Sequence, residues 1–505
     1  MMPEAPLPLA ALARAGRDPE TPCVFTLPTG GLLRILRFVR VLPGRRYVGI
    51  GEWEGRRVFA KLFTGPRAGR DFGRETTGIR LLTEHGIETP RLLAAHHAGQ
   101  EGGWLLLELL EDAVNLDERW RALEEKRDAT ARATQRKILA DALRLIGRLH
   151  AQGLAQDDLH PGNLLYRQDT LYLVDGGGIL SCALRGRQCF LENLALFFAQ
   201  FPPHWDHAGM DLLTAYEVEF PHSVDRARLN AAIARQRTRR IAHFLRKTTR
   251  DCSQFQVGRQ GFLGASGFCA LRRDAAGILM PLLANPDAWI ARGKPCKLGA
   301  SASVLRLTID GQALILKRYN LKNAGHRLRR ALRESRAAHA WREGNRLMAL
   351  GIPTARPLAF LERRKLGLRG TSFLVTEFVR GDSLLTRLPA DWPAHAPLPQ
   401  AELTALVELF TDLTRLSIRH GDLKGSNLIW QEEEESGQDE GDKKGGRWVL
   451  IDLDATRQYQ SRSRFCRAHV RDRQRLLANW PPQNPLRHWL ETHLPRLVSG
   501  QEMED

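Results

Sequence analysis

Two stretches of this chain, AQDDLHPGNLLY at 155–166 and RHGDLKGSNLIW at 419–430, superpose without a gap. Asp158 lies over Asp422, Leu159 over Leu423 and Asn163 over Asn427, and each stretch runs into an apolar, strand-like run. The echo extends in both directions. LYLVDGGG (171–178) matches WVLIDLDA (448–455), LFFAQFPP (196–203) matches RLLANWPP (475–482), and HGIETPRLLA (85–94) resembles LGIPTARPLA (350–359). A lysine closes a strand-like run in both halves, VFAKLF (58–63) and LILKRY (314–319). Matches repeated in one order point to an internal duplication. At 505 residues the chain is too long for a single core, so it is read as two homologous domains, 22–220 and 275–485, with a basic helical bridge over 221–274.

The repeated residues suit one chemistry. An aspartate followed five positions later by an asparagine, then a strand ending in a second aspartate, is the order of a kinase catalytic site. The first aspartate takes the proton of an attacking hydroxyl. The asparagine and second aspartate offer hard oxygen ligands to Mg²⁺ on the ATP phosphates. An upstream strand lysine pairs with the α- and β-phosphates, and a helix glutamate holds that lysine.

In the first half these are Asp158 as base, Asn163 and Asp175 as metal ligands, Lys61 as the strand lysine and Glu75 as its partner, with Glu108 at the adenine hinge. In the second half they are Asp422, Asn427, Asp452 and Lys317, with Glu377 at the hinge and Lys424 placed to reach the transferring phosphoryl group. Counting back from the shared Gly-Ile puts Ala340 where Glu75 falls, and Glu343, one turn on, is the nearest substitute. Phosphate-covering loops are expected at VLPGRRYVGIGEWEG (41–55) and KLGASASVL (297–305). Asp454 reads as a turn residue or a second carboxylate beside the metal. The fold expected is α+β: two tandem protein-kinase-like domains, each with a small β-rich N-lobe and a mainly helical C-lobe.

A net charge of +18 favours an anionic partner. Seven cysteines, an odd number without a C-x-x-C pair, argue against a disulfide framework or zinc site and fit a reducing compartment. The longest apolar runs, such as WLLLELL at 104–110, are too short for a membrane span, and the N-terminus is a poor signal peptide. The stretch 225–250 reads as a basic amphipathic helix whose arginines suit anionic lipid or phosphorylated glycan. Its arginines lack interleaved aromatics, so no nucleic acid is expected as partner. The acidic insertion QEEEESGQDEGDKKGG (431–446) predicts a solvated, mobile hairpin loop.

RHGDLKGSNLIW with WVLIDLDATR, preceded by SRAAHAWREGNRLMALGIPTARPLAF (335–360), resembles the bacterial lipopolysaccharide core kinases of the Kdo/heptose (WaaP-like, InaA-like) group. The first half, with DLHPGNLL, is more distant and is also similar to aminoglycoside phosphotransferases. The resemblance implies a two-lobed kinase using ATP and Mg²⁺. Its acceptor would be a heptose or Kdo hydroxyl of the lipid A–core oligosaccharide precursor, at the cytoplasmic face of the inner membrane. By position it makes Asp158 and Asp422 bases, and Asn163, Asp175, Asn427 and Asp452 metal ligands. Gln156 departs from the family pattern, standing where a histidine usually opens the catalytic loop, as does the Gly-Gly-Gly after Asp175. Two rival readings stand beside this one: a pseudokinase half that scaffolds the other, or a kinase for another small molecule or a protein.

Overall fold

The computed structural model describes residues 6–99, 102–126, 128–182, 186–258, 267–299, 301–320, 333–365, 368–432 and 445–497. It divides into two compact units, Met1–Arg237 and Thr238–Asp505.

The first unit is built on a mixed seven-stranded sheet. Its strands are β1 (Leu7–Pro8), β2 (Cys23–Leu27), β3 (Gly31–Leu42), β4 (Arg46–Trp53), β5 (Arg56–Phe63), β6 (Leu92–His97) and β7 (Gly103–Glu108), in the order β1-β2-β3-β4-β5-β7-β6. β1 runs parallel to β2, and the other neighbours are antiparallel. One face of the sheet buries Leu33, Ile35, Val58, Ala60, Leu62 and Trp104 beneath Leu9 and Leu12. Each such leucine contributes about 2 kcal/mol on burial. Leu9 and Leu12 precede residue 22, where the sequence reading began the domain.

Helix α1 (Ala68–Glu84) carries a buried stripe of Glu75, Ile79 and Leu82, at helical spacing. A glutamate in an apolar stripe marks a position held for a partner. The helical part centres on α2 (Ala129–Ala151), capped by Asp128, which accepts from the Ala131 amide. Its buried face meets the apolar side of α3 (Gly186–Phe198).

The second unit is also sheet-based, with β12 (Phe255–Gly258), β13 (Gly267–Arg272), β14 (Lys294–Leu298), β15 (Ala302–Ile309), β16 (Gln312–Tyr319), β17 (Pro357–Lys365) and β18 (Leu368–Glu377) in the order β12-β13-β17-β18-β16-β15-β14. The numbers β8 (Leu154–Gln156), β9 (Leu164–Arg167), β10 (Thr170–Leu173) and β11 (Ile179–Ser181) belong to short strands around the first unit's candidate catalytic loop. The five strands around each lysine share one order. The two extra strands lie beside β3 in the first unit and beside β17 in the second.

The segment read as a helical bridge is therefore helical only in part. Helix α4 (Arg226–Lys247) is followed by β12 and β13, which join the second sheet. Leu229, Ala232 and Ile233 of α4 are buried in the first unit's core, and Ile241 in the second's. Arg237 is buried and paired with Asp206. The apolar stripe of the helix is thus spent on protein cores, while the basic face, with Arg226, Arg228 and Arg239, is exposed.

Cys182 and Cys189 form a disulfide, contrary to the expectation from cysteine count, while Cys23, Cys269 and Cys466 are buried thiols. An odd count excludes complete pairing but not a single local bridge. Most of the acidic insertion, 433–444, lies outside the described residues; its flanks are strands Leu428–Glu432 and Gly446–Leu450. No helix among the described residues is long and apolar enough to cross a membrane.

Candidate active site

In the first unit Lys61 comes from the C-terminal half of β5, where its neighbours are fully buried, and is itself only 6% exposed. Its ammonium donates to Glu75 Oε1 and, at 3.2 Å, to Asp175 Oδ1. Arg46, at the start of β4, adds a second cation 3.7 Å from Asp175 and 3.9 Å from Glu75. Burial works to raise the Asp175 pKa, but the charges of Lys61 and Arg46 outweigh it and hold the carboxyl below its usual range.

Asp175 adopts the left-handed backbone conformation (φ 68°), as does Asp452 (φ 61°). A non-glycine residue held there is strained, and such strain gathers at functional sites. Asn163 donates from Nδ2 to the Asp158 carbonyl at 2.9 Å, and Asn427 does the same to the Asp422 carbonyl at 2.9 Å. Spending the amide donor in this way leaves the amide oxygen as a ligand atom.

Gln156, the first half's departure from histidine, keeps the histidine's contact. It donates to the carbonyls of Val174 (2.8 Å) and Asp175 (3.1 Å), while His420 bonds the equivalent Ile451 carbonyl at 3.1 Å. Both side chains thus tie the loop to the strand end that carries the second aspartate.

The lysine's partner differs between the units. Lys317 donates to Asp452 Oδ1 (2.6 Å) and Asp454 Oδ2 (2.8 Å). Glu343 does not serve it: that buried carboxylate pairs with Arg342 and Arg346 at 3.1 and 2.9 Å. Ala340, at the position of Glu75, is packed among Trp341, Phe255 and Phe360. Asp454 stands where the first unit has Gly177, and a Cβ on Gly177 would lie 2.9 Å from Glu75 Oε2. The two units therefore supply one carboxylate to the lysine from opposite sides, Glu75 with Gly177 in one and Ala340 with Asp454 in the other. Asp454 also accepts from Tyr319 and Arg336, so it is far more than a turn residue.

The candidate bases differ too. Asp422 is bonded by Lys424 (2.8 Å) and by Asn427 Nδ2 (3.2 Å), with Arg475 at 3.5 Å. Burial would raise its pKa, yet the hydrogen bond and charge of Lys424, with Arg475, leave it below the ordinary carboxylate range. Asp158 is 77% exposed, with His160 Nε2 3.9 Å from its carboxylate.

Two supports were missed in the sequence. Asp472 is buried and accepts from the amides of His420 (2.7 Å) and Gly421 (3.0 Å) and from Arg419 (3.3 Å). In the first unit Asn193 donates to the Gln156 carbonyl at 2.6 Å. Both lie at one offset before the matched F-P-P and W-P-P, a signal available but unread.

Glu108 and Glu377 end their strands, but their carboxylates face arginines, Arg167 at 3.6 Å and Arg356 at 3.0 Å. Gly49 and Gly51 lie within β4, where a Cβ would strike the carbonyls of Arg37 and Arg34 on the bulged β3. They accommodate the bulge, a constraint on the sheet that the phosphate-loop reading did not foresee. Leu298–Ala302 of the second loop joins β14 to β15, with residue 300 outside the described set.

The model of the lipopolysaccharide kinase (Kdo/WaaP) family matches residues 57–176 and 286–491, more than half of the chain. The chain belongs to this family. The matched regions contain Lys61, Glu75, Glu108, Asp158, Asn163 and Asp175 in the first unit and Lys317, Glu377, Asp422, Lys424, Asn427 and Asp452 in the second, but not Arg46, Gly177 or Asn193. Pollen receptor-like kinase 4 of Arabidopsis thaliana is 33% identical over 134 residues, 24% of this chain and 17% of that protein. The chain thus spans less than a fifth of the length of that curated relative. A solved structure described as WaaP in complex with acyl carrier protein is 20% identical over 41% of this chain and 86% of its own, with a TM-score of 0.28.

Proposed function

We propose that the protein is an ATP- and Mg²⁺-dependent phosphotransferase acting on a heptose or Kdo hydroxyl of the lipid A–core oligosaccharide precursor, peripheral to the cytoplasmic face of the inner membrane. Its two units are two kinase-like domains. The observation that carries the reading is the constellation built twice: a buried lysine bonded to a left-handed aspartate, beside an asparagine anchored five residues after a second aspartate. Family membership supplies the substrate class.

One carboxylate and one amide oxygen per unit, Asp175 with Asn163 and Asp452 with Asn427, would suit Mg²⁺, an ion that would draw its remaining ligands from water and phosphate. Among the described residues no group of three or more acidic, histidine or cysteine side chains gathers to hold a metal without them. The ion would neutralise phosphate charge. The chain's own part is to hold phosphates with Lys61 or Lys317, orient the acceptor hydroxyl, and take its proton on Asp158 or Asp422.

Asp158→Ala and Asp422→Ala should leave the fold intact, and the double variant should lose transfer of labelled phosphate from ATP to lipid A–core by about a hundredfold or more. Undiminished transfer by the double variant refutes the reading. The tighter setting of Asp422 favours a second reading, in which the second unit carries the turnover and the first binds nucleotide and regulates. Loss confined to Asp422→Ala would select it.

A further inference from the structure

Beside the second unit's lysine cluster lies a cavity of about 460 Å³ to which none of the roles above assigns a ligand. Its wall carries four arginines, Arg333, Arg336, Arg419 and Arg457, together with His339 and Tyr459. None of Lys317, Asp422, Asn427 or Asp452 lines it. Two carboxylates reach the wall, and both are engaged: Asp454 with Lys317 and Arg336, Glu334 with Arg342. Arg419 is paired with Asp472. Among the described residues neither Arg333 nor Arg457 makes an ion pair, and both are exposed. Moreover, Arg457 is the direct cross-strand partner of Arg419, an opposition of like charges that costs stability in a sheet.

The helix Arg336–Ala349 begins at this cavity. Its cap, Ser335, lines the wall, and its first turn has no acidic residue to neutralise the positive end of the helix dipole. Guanidinium forks at a helix N-terminus match a phosphate in shape, charge and donor direction.

We propose that this cavity is a phosphate-binding site, separate from the nucleotide cleft, that takes a phosphate monoester borne on a sugar or free inorganic phosphate. Arg336 links it to the cleft. It donates to Asp454 Oδ2 at 2.5 Å while lining the cavity, so an anion there draws on the same guanidinium that balances the partner of Lys317.

The test is equilibrium dialysis of the full chain against labelled orthophosphate, with the nucleotide clefts saturated by Mg²⁺ and a non-hydrolysable ATP analogue. One saturable site per chain is expected. Arg333→Glu with Arg457→Glu should weaken it about tenfold or more, while Arg239→Glu on α4 leaves it unchanged. Should the charge-reversed pair fail to fold, Arg333→Gln with Arg457→Gln replaces it. Mannose 6-phosphate held more tightly than orthophosphate assigns the group to a sugar, and equal affinity assigns it to free phosphate; both support the site. Absence of saturable binding, loss of binding once the clefts are filled, or binding indifferent to the arginine pair overturns it.

Discussion

A lysine buried in a sheet needs a carboxylate within bonding distance, because an unpaired buried ammonium costs several kcal/mol, on the order of the penalty per desolvated ion. Which residue supplies it is open, provided the space is kept for one. Glu75 reaches Lys61 from a helix, and the missing side chain of Gly177 leaves room for it. Asp454 reaches Lys317 from the segment after Asp452, and the helix position opposite is alanine. Gly177→Asp in the first unit should therefore lower stability and nucleotide affinity, by crowding Glu75 with a third carboxylate. Adding Glu75→Ala should restore much of both, giving a favourable coupling of about 1–3 kcal/mol in a double-mutant cycle. Denaturant unfolding and nucleotide titration of the four proteins check it, and additive losses would show that the two arrangements are not equivalent. Lys61, Glu75 and Asp175 were readable because identity and spacing along the chain were enough. Asp454 was not, because exchange of a partner between segments leaves no trace in either segment alone.

Each candidate catalytic loop is an irregular element, held by a helix behind it. In the second unit the Asp472 carboxylate of helix Arg462–Leu477 gathers two loop amides and Arg419. In the first, Asn193 on α3 holds the Gln156 carbonyl, and its Oδ1 accepts from His150 Nε2 at 3.1 Å. His150 Nδ1 lies 2.8 Å from the Tyr216 hydroxyl, and in the neutral imidazole that burial favours, with Nε2–H given to Asn193, Nδ1 is left as the acceptor. Burial pushes its pKa down to about 4, against a partial upward pull from Asn193. The unfolded chain binds the proton near pH 6.5 and the folded chain only near 4. Stability from this group is thus complete above about pH 6.5 and falls as pH drops towards 4, by up to about 3 kcal/mol. His150→Gln should flatten that slope, measured by urea unfolding between pH 7 and 4.5 or by hydrogen exchange of α2. An unchanged slope would remove His150 as its source. The strands bearing lysines and aspartates could be read from apolar runs ending in a charge. β12 and β13 could not, being short and set among arginines, and their place at a sheet edge is decided by pairing with β17.

At the scale of the molecule, boundaries drawn from the repeated motifs do not coincide with those drawn from buried surface. The span 22–220 omits Leu9, Leu12, Leu229, Ala232 and Ile233, all of which are fully or nearly fully buried in the first unit. The span 275–485 omits Phe255, Cys269, Ala270 and Leu271 from the second sheet, and also Ile241. Burial of a large aliphatic or aromatic side chain is worth about 2 kcal/mol, and a domain's whole stability is only about 5–15 kcal/mol. Removing either set should therefore consume most of it. A motif repeat reports which residues the two units keep in common, whereas each unit completes its core with its own flanking segments, at different edges of the sheet. Fragments 1–247 and 238–505 should accordingly unfold cooperatively and stay soluble, while 22–220 and 275–485 should aggregate or melt without a sharp transition. Circular dichroism melts and size-exclusion profiles of the four fragments decide it. Cooperative melting of the shorter pair would mean that the flanking strands and α4 decorate the cores without completing them.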